Sequence, residues 1–329
     1  MTSTIKVVVT MDVEPTTATT HPTATGPAEW GLGERAVCGY ADIAGDLGFP
    51  VTYFVHPEAA VAQADVFDRL RSEGACLGLH MHAWKYSMWR HGGGRYMAHY
   101  GGLSESEQQA ILAESGALWH TALGEWPRYF RPGTFSANDA IFRVLADMGF
   151  RGGSCSVPGR MMPEMQAVWV GAEPDPHRTH PEFRMIAGEM DFVNMPMAVD
   201  FSIALEGRKG RKLHPDLRPD TDWMGQYGLT YDTIAKNIVS QVVARAPAVP
   251  VINIVSHNHF DYRDPNAPAT RRLRDSLRAL SSAASEANVQ LVGATLEEVV
   301  DDVLALPPRV DPFVCEGNII DKTEPTAVA

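Results

Sequence analysis

The chain has 329 residues, 45% of them hydrophobic, and its 28 basic and 40 acidic side chains give a formal net charge of −12. At roughly 150 residues per domain this length suggests about two domains, although an α/β barrel also reaches it as one unit. The acidic balance argues against a nucleic-acid or anionic-membrane partner, since both require a basic face.

The opening MTSTIKVVVTMDVEP lacks the apolar core of a secretory leader, and no run reaches the ~20 apolar residues of a membrane span. A cytoplasmic protein with no membrane partner is the expectation. Cys38, Cys76, Cys155 and Cys315 are far apart and form no Cys-x-x-Cys, so reduced, mostly buried thiols are expected.

IKVVVT (5–10) is a continuous apolar run of the kind buried on both faces of a parallel sheet. Residues 35–47 carry apolar side chains at helical spacing and stop at Gly48. VTYFV (51–55) is the next strand, 65–74 a short helix, and ACLGL (75–79) a strand again. A loop rich in glycine, histidine and aromatics is expected over 85–102. Ser104 and Glu107 then form a capping box ahead of a long helix. RYF (128–130) is a short strand, and SANDAIFRVLADMGF a helix with Asn138 as N-cap and Gly149 at its end.

Residues 156–230 are rich in Pro, Met, Arg and Asp and read as an elaboration inserted into the main fold. Helix 231–245, strand 251–256, helix 269–287, strand 289–293 and a helix from Leu296 come next. An extended tail is expected after 310, so that 1–310 would be one domain and 311–329 its tail. This strand–helix alternation predicts a mainly parallel α/β sheet, open or closed into a barrel.

The residues at the strand ends are more telling. IKVVVT leads to Asp12 and Glu14, ACLGL to His80 and His82, RYF to Arg131, and VINIVS to His257 and His259. In parallel α/β folds the carboxyl ends of strands are where sites are built. One carboxylate with two imidazoles is a three-ligand set for zinc or a similar divalent ion, which activates water and polarises a carbonyl. A second carboxylate can then act as base on that water, and a histidine across the site can protonate a leaving group. This is equipment for hydrolysis of an amide or ester.

These stretches also resemble a family. TMDVE, LGLHMHAW, FRPGTFSAN and IVSHNHF, in this order and at strand ends, are similar to the four motifs of the polysaccharide deacetylases, carbohydrate esterase family four. Val13 stands where the family has a second aspartate and Trp84 where it has its second metal histidine; Glu14 and His82 take their places, as in branches with Asp-x-Glu and His-x-His-x-Trp pairings. The resemblance spans about Val7 to Val300. It implies a distorted (β/α)7 barrel of mainly parallel strands with the insertion at 156–230. It also implies Asp12 as general base held by Arg131, Glu14, His80 and His82 as ligands of a divalent ion (zinc being expected), and His257 as general acid. Trp84 and His259 are candidate substrate contacts, His259 remaining open between ligand, substrate contact and a neutral role.

The implied activity is metal-dependent removal of an N-acyl group, most simply N-acetyl, from an acetamido sugar or small glycosylated metabolite. Two alternatives stand beside it: a cyclic imide, ureide or other amide hydrolase of the same fold, with or without a metal, and a non-catalytic carbohydrate-binding homologue. A homo-oligomer is left open. Trp84, Trp89, Tyr96 and Tyr100 would either form a sugar-stacking wall or pack the barrel top. His91, His99, His177 and His180 are expected to be solvated, and the methionines of NMPM (194–197) to be core or pocket filler.

Overall fold

The structure, a computed structural model, describes residues 3–21 and 24–308. Its main sheet has nine strands: β1 (Ser3–Val13), β2 (Val51–Val55), β3 (Cys76–Met81), β4 (Tyr129–Pro132), β5 (Gly152–Gly153), β6 (His177–Arg178), β7 (Val193–Asn194), β8 (Val251–His257) and β9 (Val289–Gly293). The order is β8-β1-β2-β3-β4-β5-β7-β6, with β9 also on β1, and only the β6–β7 pair is antiparallel.

The sheet curls into a half-barrel. Arg131 on β4 reaches Asp12 on β1 across two intervening strands, a span of about 14 Å in a flat sheet at ~4.8 Å per strand. Its two flanks also meet. Asn253 of β8 donates to Ser154 Oγ beyond β5 at 2.9 Å and to the Pro196 carbonyl beyond β7 at 3.2 Å.

Alternation along the strands grades the inner face from apolar to polar. Val8, Phe54, Cys76, Tyr129 and Val251 form one cluster, which the helix Leu296–Ala305 covers through Leu296, Val299, Val300 and Val303. Two residues further along the same strand faces come Thr10, Arg131 and Asn253, and then Asp12, His80 and His257 toward the carboxyl rim. Val7, Val9, Met11 and Val13 point the other way, into the larger core beneath the outer helices. Hence the strand run is apolar on both faces only in its first half, and polarity is delivered at one rim.

Helix starts and stops shift from those expected. The first helix runs Trp30–Gly45, five residues earlier at its start. The span 85–102 is not wholly a loop: Ala83–His91 is a helix closed by Gly92 in the left-handed region (φ 56°), with Lys85 and Tyr86 buried. Asn138 does not cap the helix after it, which runs Ile141–Asp147 with Ala140 at its N-cap; Asn138 Oδ1 accepts from Ala140 N and Gln108 Nε2 instead. Residues 156–230 do more than decorate. They supply β6 and β7 to the main sheet, besides a separate four-stranded sheet of two-residue strands.

Cys38, Cys76 and Cys155 are buried free thiols, as expected, while Cys315 and the tail expected beyond 310 lie outside the described residues. Of the four histidines expected to be solvated, only His177 is buried, and the other three are partly exposed. His91 pairs with Glu114 at 2.9 Å, His99 is half-buried, and His180 Nδ1 accepts from the Glu182 and Phe183 amides. Met195 and Met197 are buried as expected.

Candidate active site

Parallel register gathers the rim residues. Asp12 is opposite His257 on β8 and Phe54 on β2, and His80 is opposite Arg131 on β4. His82 is still extended (φ −97°, ψ 103°) at the N-cap of Ala83–His91, so His80 and His82 project from one face of the segment with ring centroids 5.0 Å apart. The His82 ring lies directly over Gly133, where an added Cβ would be 2.2 Å from Nδ1. A side chain at 133 and an inward His82 are therefore incompatible.

Glu14 is 1% exposed. Its Oε1 lies 3.0 Å from His82 Nε2 and 3.5 Å from His80 Nε2. Glu14, His80 and His82 each offer one donor atom within 4.8 Å of the others. His80 Nδ1 donates to the Arg131 carbonyl at 3.1 Å, which turns its Nε2 inward, buried and without a hydrogen-bond partner. Such an outer anchor is how a ligating imidazole is oriented. One carboxylate oxygen and two imidazole nitrogens that converge, one of them an orphan, fit a divalent cation such as zinc. Burial drives the His82 imidazole down to about 4 against the pull of Glu14, so it stays neutral. Burial would raise the Glu14 carboxyl, but His82, Lys85 and His80 outweigh it and hold it well below the usual range.

Asp12 sits beside this cluster. Arg131 Nη1 donates to Asp12 Oδ1 at 2.7 Å and to Thr10 Oγ1 at 2.9 Å, and its Nε donates to the Ser154 carbonyl. The guanidinium lies 4.1 Å from the Phe54 ring centroid and is fully buried. Asp12 Oδ2 remains free of it, 4.0 Å from His80 Nε2 and 3.9 Å from His257 Nε2. Burial works to raise the Asp12 carboxyl; Arg131, His80 and His257 together overcome it, so Asp12 is ionised.

Across from Asp12, His257 Nδ1 donates to Asp220 Oδ2, and Asp220 Oδ1 accepts from Ser256 Oγ at 2.7 Å. Burial opposes charging of His257, yet Asp220, with Asp12 and Glu14 beyond it, raises it above the ordinary histidine value. The site therefore holds two anionic carboxylates, a neutral imidazole at His82 and a proton-retaining imidazole at His257 within a few ångströms.

Four further residues of the site were not among those expected from the sequence. Asp220 comes from the irregular 156–230 stretch. Lys85, 1% exposed, donates to Glu14 Oε2 at 2.8 Å. Asn258 exchanges two hydrogen bonds with the Glu14 backbone, at 2.9 and 3.1 Å. His56 comes directly after β2, just as the others come after their strands; its Nδ1 accepts from Glu58 N and its Nε2 is buried without a partner. A scan of every strand end for titratable residues would have found His56, though not the other three.

Of the expected substrate contacts, Trp84 is half-buried with its ring 6.4 Å from His82. His259 does not join the ligand cluster: it is half-buried, stacks on Phe260 at 3.9 Å, and is driven to about 4 by burial and by His257. Tyr96 and Tyr100 are buried, Tyr100 packing on Phe130 at 5.2 Å, so they fill the fold rather than line a wall.

Known proteins share parts of this arrangement. The polysaccharide deacetylase family model matches residues 39–153. That segment contains His80, His82 and Arg131, while Asp12, Glu14 and His257 fall outside it. No curated protein sequence matches the chain. Similar solved structures include a Mycobacterium smegmatis protein assigned as a polysaccharide deacetylase (15% identity, 96% of each chain, TM-score 0.56). Others are the Puue allantoinase (12%, 92% of each chain, 0.54) and a Pseudomonas aeruginosa protein assigned as a polysaccharide deacetylase (12%, 91% of this chain and 90% of that one, 0.53). At these identities the likeness is one of fold. Among the described residues no helix is long and apolar enough to cross a membrane.

Proposed function

We propose that this chain, whose residues 39–153 match the polysaccharide deacetylase family model, hydrolyses an N-acyl amide, removing acetyl from an acetamido sugar or a small glycosylated metabolite, with a divalent cation held by Glu14, His80 and His82. The observation that carries this reading is the placement of two oppositely tuned proton carriers, Asp12 and His257, 3.9 Å apart on the edge of the three-donor cluster. A bare binding pocket has no use for such a pair, which weighs against a non-catalytic homologue.

When bound, the ion would polarise the amide carbonyl and make water acidic enough to attack near neutral pH. Asp12, ionised and with Oδ2 unclaimed by Arg131, takes the proton of the attacking water. Arg131 fixes the carboxylate so that only that oxygen is available. His257, held in one tautomer by Asp220, presents Nε2–H to the departing nitrogen, which leaves as a neutral amine. Trp84 offers the half-exposed aromatic face suited to a sugar ring.

One observation favours a second reading. The Lys85 ammonium on the far oxygen of Glu14 provides a fixed cation beside the three-donor cluster, which suits a metal-free amide or imide hydrolase of this fold. The test is release of acetate from N-acetylglucosamine, its short oligomers and N-acetylated glycosides, and ring opening of hydantoin and succinimide, each with and without chelator. Chelator-sensitive acetate release is expected. Chelator-indifferent ring opening with no acetate release would replace the first reading by the second.

A further inference from the structure

Glu14 is contested. One of its oxygens faces the imidazoles, and the other is taken by Lys85 Nζ at 2.8 Å, both side chains being 1% exposed. Lys85 is not there merely because Glu14 attracts it. Its Nζ also donates to the Thr25 carbonyl at 2.7 Å, and that carbonyl is itself fixed. Gly26 presses so closely on the Pro15 carbonyl that a Cβ would come within 2.1 Å, at φ +152°, a backbone conformation L side chains rarely adopt. Thr17 N donates to the Pro27 carbonyl at 3.0 Å, closing the same loop. On the other side, Asn258 pins the Glu14 backbone with its two hydrogen bonds. Neither partner can turn away without breaking a second attachment.

Resting on the metal-site reading above, we propose that Lys85 is a built-in brake on divalent-ion affinity at the Glu14–His80–His82 site. It acts in two ways. It reserves Oε2, so Glu14 offers one oxygen and not two. It also cancels the only formal charge of the donor set, since both imidazoles ligate as neutral groups. A dication entering the cluster meets an ammonium hydrogen-bonded to its carboxylate ligand, in a buried setting where like-charge repulsion is poorly screened. The ion is therefore held weakly and exchanges, and the site discriminates against ions that need a bidentate carboxylate.

The test is zinc titration of the chelator-stripped full-length protein, read by calorimetry and by competition with a chromophoric chelator. The variants are Lys85→Gln, which keeps hydrogen-bond donors to Glu14 and Thr25 without charge, Lys85→Met, which removes both, and Lys85→Arg, which keeps charge. Zinc is expected to bind Lys85→Gln and Lys85→Met at least about tenfold more tightly than wild type, and Lys85→Arg as wild type does. Should Lys85→Met unfold because Glu14 is left a buried lone charge, Lys85→Gln decides alone. Equal or weaker zinc binding by Lys85→Gln overturns the proposal and leaves the proposed function standing. Zinc binding by Lys85→Gln but not by wild type upholds the brake and removes the metal-dependent function. Binding by none of the four proteins overturns both.

Discussion

Two His-x-His pairs stand at two strand ends, with the same spacing and opposite fates. His80 and His82 lie on a segment that stays extended until the helix at Ala83, so both rings face inward and meet at Glu14. His257 is the last residue of β8, and the chain turns at once, so His259 packs on Phe260, its ring 5.7 Å from that of His257 but outside the ligand cluster. Surroundings then separate the rings chemically. Beside Glu14, burial prevails and His82 is neutral; beside Asp220, charge prevails and His257 holds its proton. A spacing of two places side chains on one face only while the backbone remains a strand, and the carboxylate behind each ring decides whether it ligates or carries protons.

Substitutions that exchange these fates test the comparison. Asp12→Asn should lower kcat by about 10³, inside the 10²–10⁴ range for a lost acid–base group, while a zinc titration still finds the site. His80→Ala and His257→Ala should diverge. The first abolishes zinc binding by calorimetry; the second keeps zinc and loses about 10²-fold or more in kcat. Equal zinc loss in both would dissolve the distinction.

Gly133→Ala acts on the first pair alone. The new methyl displaces the His82 ring, and zinc affinity should drop roughly 10–100-fold, as for loss of a group that orients a ligand, with kcat at saturating zinc much less affected. Asp220→Asn acts on the second. With the charge gone, His257 falls back toward the ordinary histidine value. The general acid must be protonated, so activity is lost as pH rises through that value; the alkaline limb of the kcat profile should move to lower pH, with kcat at its optimum down about tenfold. An unmoved limb would detach His257 from that limb. His259→Ala, last, should change kcat/KM by less than about threefold, since the ring reaches neither the ligand cluster nor Asp12 and lies 5.7 Å from the His257 ring, whose Nδ1 is already held by Asp220.

Much of this rim is legible in the sequence alone. Asp12, Glu14, His80, His82, Arg131 and His257 are marked by their place after β-rich runs, because parallel strands must end at a common edge. His56 has that same place after β2 and was overlooked, whereas Asp220 and Lys85 have no such position. Asp220 approaches from a stretch of two-residue strands where neither a period of two nor of 3.6 operates. Lys85 lies within a span read as loop because its glycines and aromatics masked a nine-residue helix, and a lysine on a helix is ordinarily assigned to solvent. The burial of Tyr96, Tyr100 and His177 is set by long-range packing, to which composition is blind.

The most direct test of the central claim is a zinc titration of the wild-type chain beside Glu14→Gln, His80→Ala and His82→Ala. If these three side chains close on one ion, wild type binds one equivalent per chain and each variant loses that event while keeping its fold by circular dichroism. Undiminished binding in any of the three variants would contradict it.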